Sequence, residues 1–330
     1  MATWVGVETF RRWSLSNGLL DHPNDRSSHD LPTPRGGGLV IVAISLLLYS
    51  FITYYITNDF KWHYPVAGGM VALISWLDDL YSVSFLLRLC VHAGAAAILI
   101  WGVGFPRQIY VPGLDDVLNI GNFGAIIAFV WIVWMVNAYN FMDGIDGLAG
   151  SQTILAGFAW LVYGYILGTR SIYLFAGVLA FSGVDFLIHN WSPAKVFMGD
   201  VGSAFLGFTF AALPLIAAEK SAATSATLLL AAASFVWFFL FDTIFTFVRR
   251  FVRGEKVWTA HREHFYQWLV IGGTSHSTVT LIYSAFTVLV IASVLIAGVF
   301  RGTWEFLPLF SIVSLSLILV FCSTRRKGLT

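Results

Sequence analysis

The residues of this chain that could do chemistry are gathered in a few short stretches. The densest is Asn137-Ala-Tyr-Asn140-Phe-Met-Asp143-Gly-Ile-Asp146-Gly-Leu148. Asn137, Asn140 and Asp143 recur every three residues, which places them along one side of a helix end. Capping is the ordinary use of such residues. Four amides and carboxylates in ten residues, between two apolar runs, exceed what a cap needs. A second stretch, Phe197-Met-Gly199-Asp200-Val-Gly202-Ser203, sets one carboxylate between glycines at the start of an apolar run. Free N–H groups at a helix start suit phosphate. A carboxylate beside them suits Mg²⁺, which takes one or two protein carboxylates together with substrate phosphates.

Three further groups add charge. Asp78-Asp79 closes an apolar run, where adjacent carboxylates repel each other and call for a cation nearby or a raised pKa. His261-Arg262-Glu263-His264 follows Arg249, Arg250, Arg253 and Lys256. Alone it reads equally as a basic loop against anionic lipid. Its two His are three positions apart rather than four, so it is not a zincin motif. The stretch from Asp25-Arg26-Ser27-Ser28-His29 to Pro32-Thr33-Pro34-Arg35-Gly36-Gly37-Gly38 contributes cations, a His and a Gly-rich helix start, again suited to phosphate. Asp185 and Asp242 lie inside apolar runs, where a carboxylate is a functional candidate by default, with no specific role evident for either.

The elements that must position these residues are membrane helices. Of 330 residues, 58% are hydrophobic and only 11% charged, with a mean hydropathy of +0.77. A soluble domain carries about 25% charged residues, so soluble and disordered classes are excluded. A net charge of +1 offers nothing to nucleic acid. Cys90 and Cys322 both sit in apolar runs and predict neither a disulfide framework nor a zinc site. Spans of roughly 20 residues fit near 38–57, 63–77, 85–104, 121–137, 148–168, 171–188, 202–218, 224–247, 277–300 and 304–323. This is an all-α polytopic protein of about ten transmembrane helices, one integral-membrane domain over 1–330. Residues 1–20 are a shortened eleventh span or a helix lying on the membrane surface. Placing the loop after 38–57 outside leaves Lys61, Arg107, Arg170, Lys220 and Arg301 on the outer side, against twelve Lys and Arg on the inner side, Arg11 and Arg12 set aside. The inner side is therefore cytoplasmic. Its loops, 21–37, 78–84, 138–147, 189–201 and 248–276, hold nearly all the polar candidates and predict one cytoplasmic site. Outside, residues 105–120 predict a small hairpin.

With these stretches in order, the chain resembles the polyprenyl-phosphate N-acetylhexosamine-1-phosphate transferases, the MraY/WecA superfamily. The similarity rests on RSSH…PTPRGGG at 26–38, Asp78-Asp79, NAYNFMDGIDGLAG at 137–150, FMGDVGS at 197–203 and HREH at 261–264. It implies a bundle of ten or eleven helices. It also implies transfer of a sugar 1-phosphate from a UDP-sugar to undecaprenyl phosphate, with release of UMP and a requirement for Mg²⁺ (or Mn²⁺ in its place). The enzyme would sit in the bacterial inner membrane and leave a homodimer open. The Arg-Ser-Ser-His stretch and HREH look like the O-antigen-initiating branch. The peptidoglycan enzyme that takes UDP-MurNAc-pentapeptide has three consecutive His in the last inner loop, and this chain does not. Family members begin with a full first span, for which residues 1–20 are too short and too polar.

The chemistry expected of the residues agrees. Both substrates carry phosphate, so repulsion between anions is the first obstacle. Asp200, with Asn140 as second contact, is the expected Mg²⁺ site. Asn137, Asp143 and Asp146 shape the nucleotide pocket, and Arg35, His261, Arg262 and His264 meet phosphate and sugar. A lipid phosphate monoester has a second pKa near about 6 and is mostly dianionic at neutral pH, so no general base is obligatory. That leaves three roles open for Asp78 and Asp79: binding cation and nucleophile, taking a residual proton, or attacking phosphorus themselves. The rival class is a secondary transporter, whose ionisable residues would lie near the bilayer midplane rather than at one set of helix ends.

Overall fold

The computed structural model describes residues 1–23, 31–111, 117–218, 222–257, 259, 261–299 and 304–327. The Arg26-Ser27-Ser28-His29 stretch lies outside the described residues. In chain order the elements are α1 (Ala2–Asn17), β1 (Leu20–Asp21), β2 (Thr33–Pro34), α2 (Gly38–Thr57), α3 (His63–Tyr81), α4 (Phe85–Val103), β3 (Gln108–Ile109), β4 (Leu118–Asn119), α5 (Phe123–Phe141) and α6 (Leu148–Ile166). There follow α7 (Arg170–Asn190), α8 (Gly199–Ala218), α9 (Ala222–Phe235), α10 (Trp237–Val252), α11 (Phe265–Ile271), α12 (His276–Val299) and α13 (Leu307–Lys327).

Among the described residues, α2, α4, α5, α7, α8, α12 and α13 are long and apolar enough to cross a membrane. This is an all-α, multi-pass membrane protein. α3 and α6 have the same 19-residue length as α4 and α5, or about 28 Å. They are more polar: α3 ends on Asp78-Asp79, and α6 opens with buried Ser151, Gln152 and Thr153.

The run at 224–247 is not the single span its composition suggests. It breaks at Val236, and Thr227–Phe235 and Trp237–Val252 meet at 83°. The reason lies in α10. Asp242, Thr246 and Arg250 follow one another every four residues on its buried side, while Phe245, Phe247, Val248 and Phe251 are exposed. The bend lets α10 turn its polar side onto residues 259–266 and Tyr283 of α12 and leave its apolar side outward. α1 is not among the helices long enough to cross a membrane. Its 16 residues reach only about 24 Å, and it packs on α7 and α2. The Trp4 N–H donates to Asp185 Oδ2 at 3.1 Å, so Asp185 serves this packing. The strands of the hairpin expected within 105–120 are paired: Gln108 with Asn119 and Ile109 with Leu118, antiparallel.

At the centre stands α8. Its apolar stretch is 94% buried, enclosed by α2, α3, α5 and α9. Most spans show one side to lipid; α8 shows almost none, and Asp200 sits in its first turn.

Candidate active site

Backbone pairing brings the Gly-rich start of α2 against the start of α8. Phe197 N–H donates to Pro34 O at 2.8 Å, Gly37 N–H to Phe197 O at 2.9 Å and Gly38 N–H to Met198 O at 2.9 Å. The two helices then approach so closely that a Cβ on Gly38 would stand 2.4 Å from Gly202 Cα. Gly199 has φ +76°, and a Cβ there would meet Asp79 Oδ2 at 2.8 Å, so a side chain is excluded on both counts. The space left open is used by Asp79. Its Oδ1 accepts from Asp200 N–H and its Oδ2 from Val201 N–H, each at 3.0 Å. Asp79 thus caps α8 from another helix, supplying acceptors that the first turn lacks.

Two guanidiniums bridge the carboxylates. Arg35 Nη2 lies 2.6 Å from Asp79 Oδ1 and 3.0 Å from Asp200 Oδ1. Arg88 Nη1 binds Asp78 Oδ2 and stands 3.3 Å from Asp200 Oδ2. Asp78 Oδ1 also accepts from Val83 N–H at 2.7 Å. Asp143, just beyond α5, is pushed well above the usual carboxylate range by burial and by the charges of Asp200 and Asp79, with Arg35 opposing. Asp78, Asp79 and Asp200 against Arg35 and Arg88 leave the cluster with more carboxylates than cations. That deficit, and a donor set of hard oxygens, fit one divalent cation. Among the described residues no three His, Cys, Asp or Glu close into a ready-made cage.

Beside this cluster lies a cavity of about 230 Å³. Asn137, Asn140, Asp200, His261 and His264 line it, as the sequence leads one to expect, and so do Arg88 and His92. Asn140 Nδ2 donates to Ser203 Oγ at 3.0 Å, which ties α5 to α8. Asn137 Nδ2 is turned back onto Val133 O of its own helix at 2.7 Å. Asp146 braces the loops: its Oδ2 accepts from Ala194 N–H at 3.2 Å and lies 3.4 Å from His276 Nδ1. Although burial works against its charge, the His276 hydrogen bond holds the Asp146 carboxyl below its ordinary value. Arg262 is half-buried, close enough to Tyr266 for its charge to act there.

The HREH segment is held from inside. Asp242 is fully buried. It accepts from His264 Nδ1 at 3.0 Å, Phe265 N–H at 2.9 Å, Tyr266 N–H at 3.3 Å and Tyr283 Oη at 2.7 Å. With Nδ1 engaged, the ring of His264 is fixed and Nε2 is its remaining polar edge. Arg249 and Arg250 do not face lipid. Arg250 is 5% exposed and donates to Thr259 O at 3.0 Å, and Arg249 stacks 4.0 Å above the Trp268 ring. The His261 imidazole is pushed down to about 4 by burial and by the nearby His264 and Arg250. At neutral pH it is an uncharged hydrogen-bonding group. Asp242→Ala strands His264, Tyr283 and two backbone N–H groups together. It is expected to destabilise the protein by about 3 kcal/mol or more, visible as a lowered unfolding temperature in detergent; an unchanged temperature would contradict this account of Asp242.

Comparison with known proteins fits this geometry. Residues 62–218, which include Asp78-Asp79, the Asn137–Gly150 stretch and Asp200, match Glycosyl transferase family 4. A decaprenyl-phosphate N-acetylglucosaminephosphotransferase of Mycolicibacterium smegmatis is 30% identical over 312 residues, 85% of this chain and 76% of the relative. This chain belongs to glycosyl transferase family 4. A probable undecaprenyl-phosphate N-acetylglucosaminyl 1-phosphate transferase of Bacillus subtilis is 28% identical over 82% of the chain and 75% of its own length. An undecaprenyl-phosphate alpha-N-acetylglucosaminyl 1-phosphate transferase of Salmonella typhi is 25% identical over 93% and 85%. The resemblance to the MraY/WecA superfamily is thereby borne out, and as a family 4 member the protein is a membrane-embedded transferase. Sequence reasoning missed Arg88 and His92 at this family 4 site. Their signal was present: two ionisable residues four apart in an apolar run share a helix face.

Proposed function

We propose that the protein transfers an N-acetylhexosamine 1-phosphate from a UDP-sugar to undecaprenyl phosphate. The products are an undecaprenyl-diphospho-sugar and UMP, and the reaction takes place at the cytoplasmic face of the bacterial inner membrane. It would be the first membrane step of O-antigen or a related envelope glycan. The observation that carries the reading is Asp200, fixed at the tip of the buried α8 between two guanidiniums and opening onto a cavity at the loop-bearing end of the bundle. Names of the relatives favour UDP-GlcNAc as donor; UDP-FucNAc and UDP-QuiNAc are the 6-deoxy alternatives.

Asp200 and Asn140 would hold Mg²⁺, with Mn²⁺ able to replace it, and the bound ion supplies positive charge to the pyrophosphate and to the departing UMP. Arg35 and Arg88 now spend their charge on carboxylates and are placed to turn toward phosphate oxygens when these enter. The side chain of Asp79 is 1% exposed, and its oxygens are engaged by α8 and Arg35. It positions Asp200 and is poorly placed to attack phosphorus. Asp78 holds Arg88. With Asp78 and Asp79 both engaged, the lipid phosphate itself attacks the donor's sugar-linked phosphorus, breaking one phosphoanhydride and making another. The reaction is therefore readily reversible.

The test is UMP release by purified protein supplied with undecaprenyl phosphate and a panel of UDP-sugars. Turnover is expected with a simple UDP-N-acetylhexosamine, because His261 and His264 offer little to a long acidic peptide. Use of UDP-MurNAc-pentapeptide alone would refute the donor class. Labelled UMP should enter UDP-sugar only when lipid is present; exchange without lipid would reveal a covalent enzyme intermediate.

A further inference from the structure

One histidine in the cavity wall has no part in the account so far. His92 is 5% exposed, and among the described residues neither of its ring nitrogens has a hydrogen-bond partner. A neutral imidazole always carries one donor and one acceptor. Burying both without partners is unfavourable, and native proteins rarely tolerate it unless the group has a use. His92 stands one helical turn beyond Arg88 on the same face of α4, about 6 Å deeper into the membrane. The charges of Arg88 and Asp200 are near enough to act on it.

The surroundings decide which substrate it meets. The cavity lining comes from two sources: Ser75, Val136 and Ala204 stand roughly one to two turns inside α3, α5 and α8, as His92 does in α4, whereas Val257, Thr259 and His261 belong to the segment that follows α10. A soluble nucleotide arrives among the loops and can satisfy polar groups there. A wall built inside the membrane helices suits an isoprenyl chain, whose only polar part is its phosphate. We propose that His92 is a contact for the acceptor lipid: its ring N–H donates to a phosphate oxygen of the polyprenyl phosphate, beside the first isoprene unit and next to Arg88. This rests on the transferase reading above and adds a residue to the acceptor side of that site.

The test is steady-state kinetics of wild type, His92→Leu and His92→Gln, with undecaprenyl phosphate and UDP-GlcNAc varied in turn. His92→Leu is expected to raise KM for the lipid about ten-fold or more, the usual effect of losing a hydrogen bond to a charged group. KM for UDP-GlcNAc should stay essentially unchanged, and the unfolding temperature should hold or rise, because an orphaned polar group has gone. His92→Gln keeps a donor and an acceptor and should recover most of the lipid affinity. An unchanged lipid KM in His92→Leu overturns the proposal. So does a rise confined to UDP-GlcNAc, which would place His92 on the donor. A lowered unfolding temperature that Gln restores also overturns it, since that would mean a partner within the protein. If wild type turns over no donor at all, the reaction assignment has failed. The His92 proposal is then judged by direct binding of undecaprenyl phosphate to the purified protein, expected to be weaker in His92→Leu.

Discussion

Asp200→Asn is expected to lower turnover by at least about 10³-fold while the protein stays folded; stabilisation of transition-state charge by a bound metal is worth several kcal/mol. The substitution keeps the side chain's shape and removes its charge. The groups that hold the start of α8 are the Asp200 and Val201 N–H groups on Asp79, and these are backbone. Arg35 and Arg88 keep Asp79 and Asp78 as partners. An unchanged unfolding temperature should therefore accompany the loss of UMP release. The affinity for Mg²⁺, followed by titration, should fall together with activity. Turnover like wild type with unaltered Mg²⁺ dependence would remove Asp200 from the metal site.

The second large effect is expected at a residue that carries no charge and no side chain. Gly38→Ala places a methyl 2.4 Å from Gly202 Cα and 2.8 Å from Met198 O. Both are backbone, so no flexible side chain can yield. The two helix starts must separate by about 1 Å to restore ordinary contact, in an interior packed as densely as a crystal. That shift loosens the three backbone bonds between 34–38 and 197–198 and moves Asp200 relative to Arg35. Misplacement of this size costs about 10²-fold in rate, and overpacking costs about 1–3 kcal/mol in stability. Gly69→Ala is the control: it lies within α3 with open space around its Cβ, and should leave both quantities near wild type. Equal behaviour of the two variants would show that the Gly38–Gly202 seam does not position the site.

The residues most legible in the sequence were those whose local company is incongruous in a membrane protein. Asp200 between glycines and Asn140 within a run of amides announced themselves, because nothing about a membrane span requires them. The roles of Asp78 and Asp79 were not legible, since they depend on Asp79 reaching 121 residues along the chain to the N–H of Asp200. Asp242 stood out as ionisable, but its partners, His264 and Tyr283, lie 22 and 41 residues away. The break at Val236 was hidden because no Pro or Gly marks it. What marks it is the four-residue spacing of Asp242, Thr246 and Arg250 in α10, a period that an apolar-run count averages away. His92 was hidden for the same reason, one His in a helix otherwise apolar enough to span.

The enclosure of α8 bears on how such a protein is made. Segments enter the bilayer one at a time, each judged by its own affinity for lipid, and α8 is apolar enough to pass that test alone. Yet its final surroundings are almost wholly other helices. It must leave lipid after insertion, and it can do so only once both earlier neighbours, α2, α3 and α5, and a later one, α9, have arrived. Assembly of the site is thus a late event in biogenesis. A chain halted before α9 would hold Asp200 at the correct depth and still lack the enclosure that fixes it.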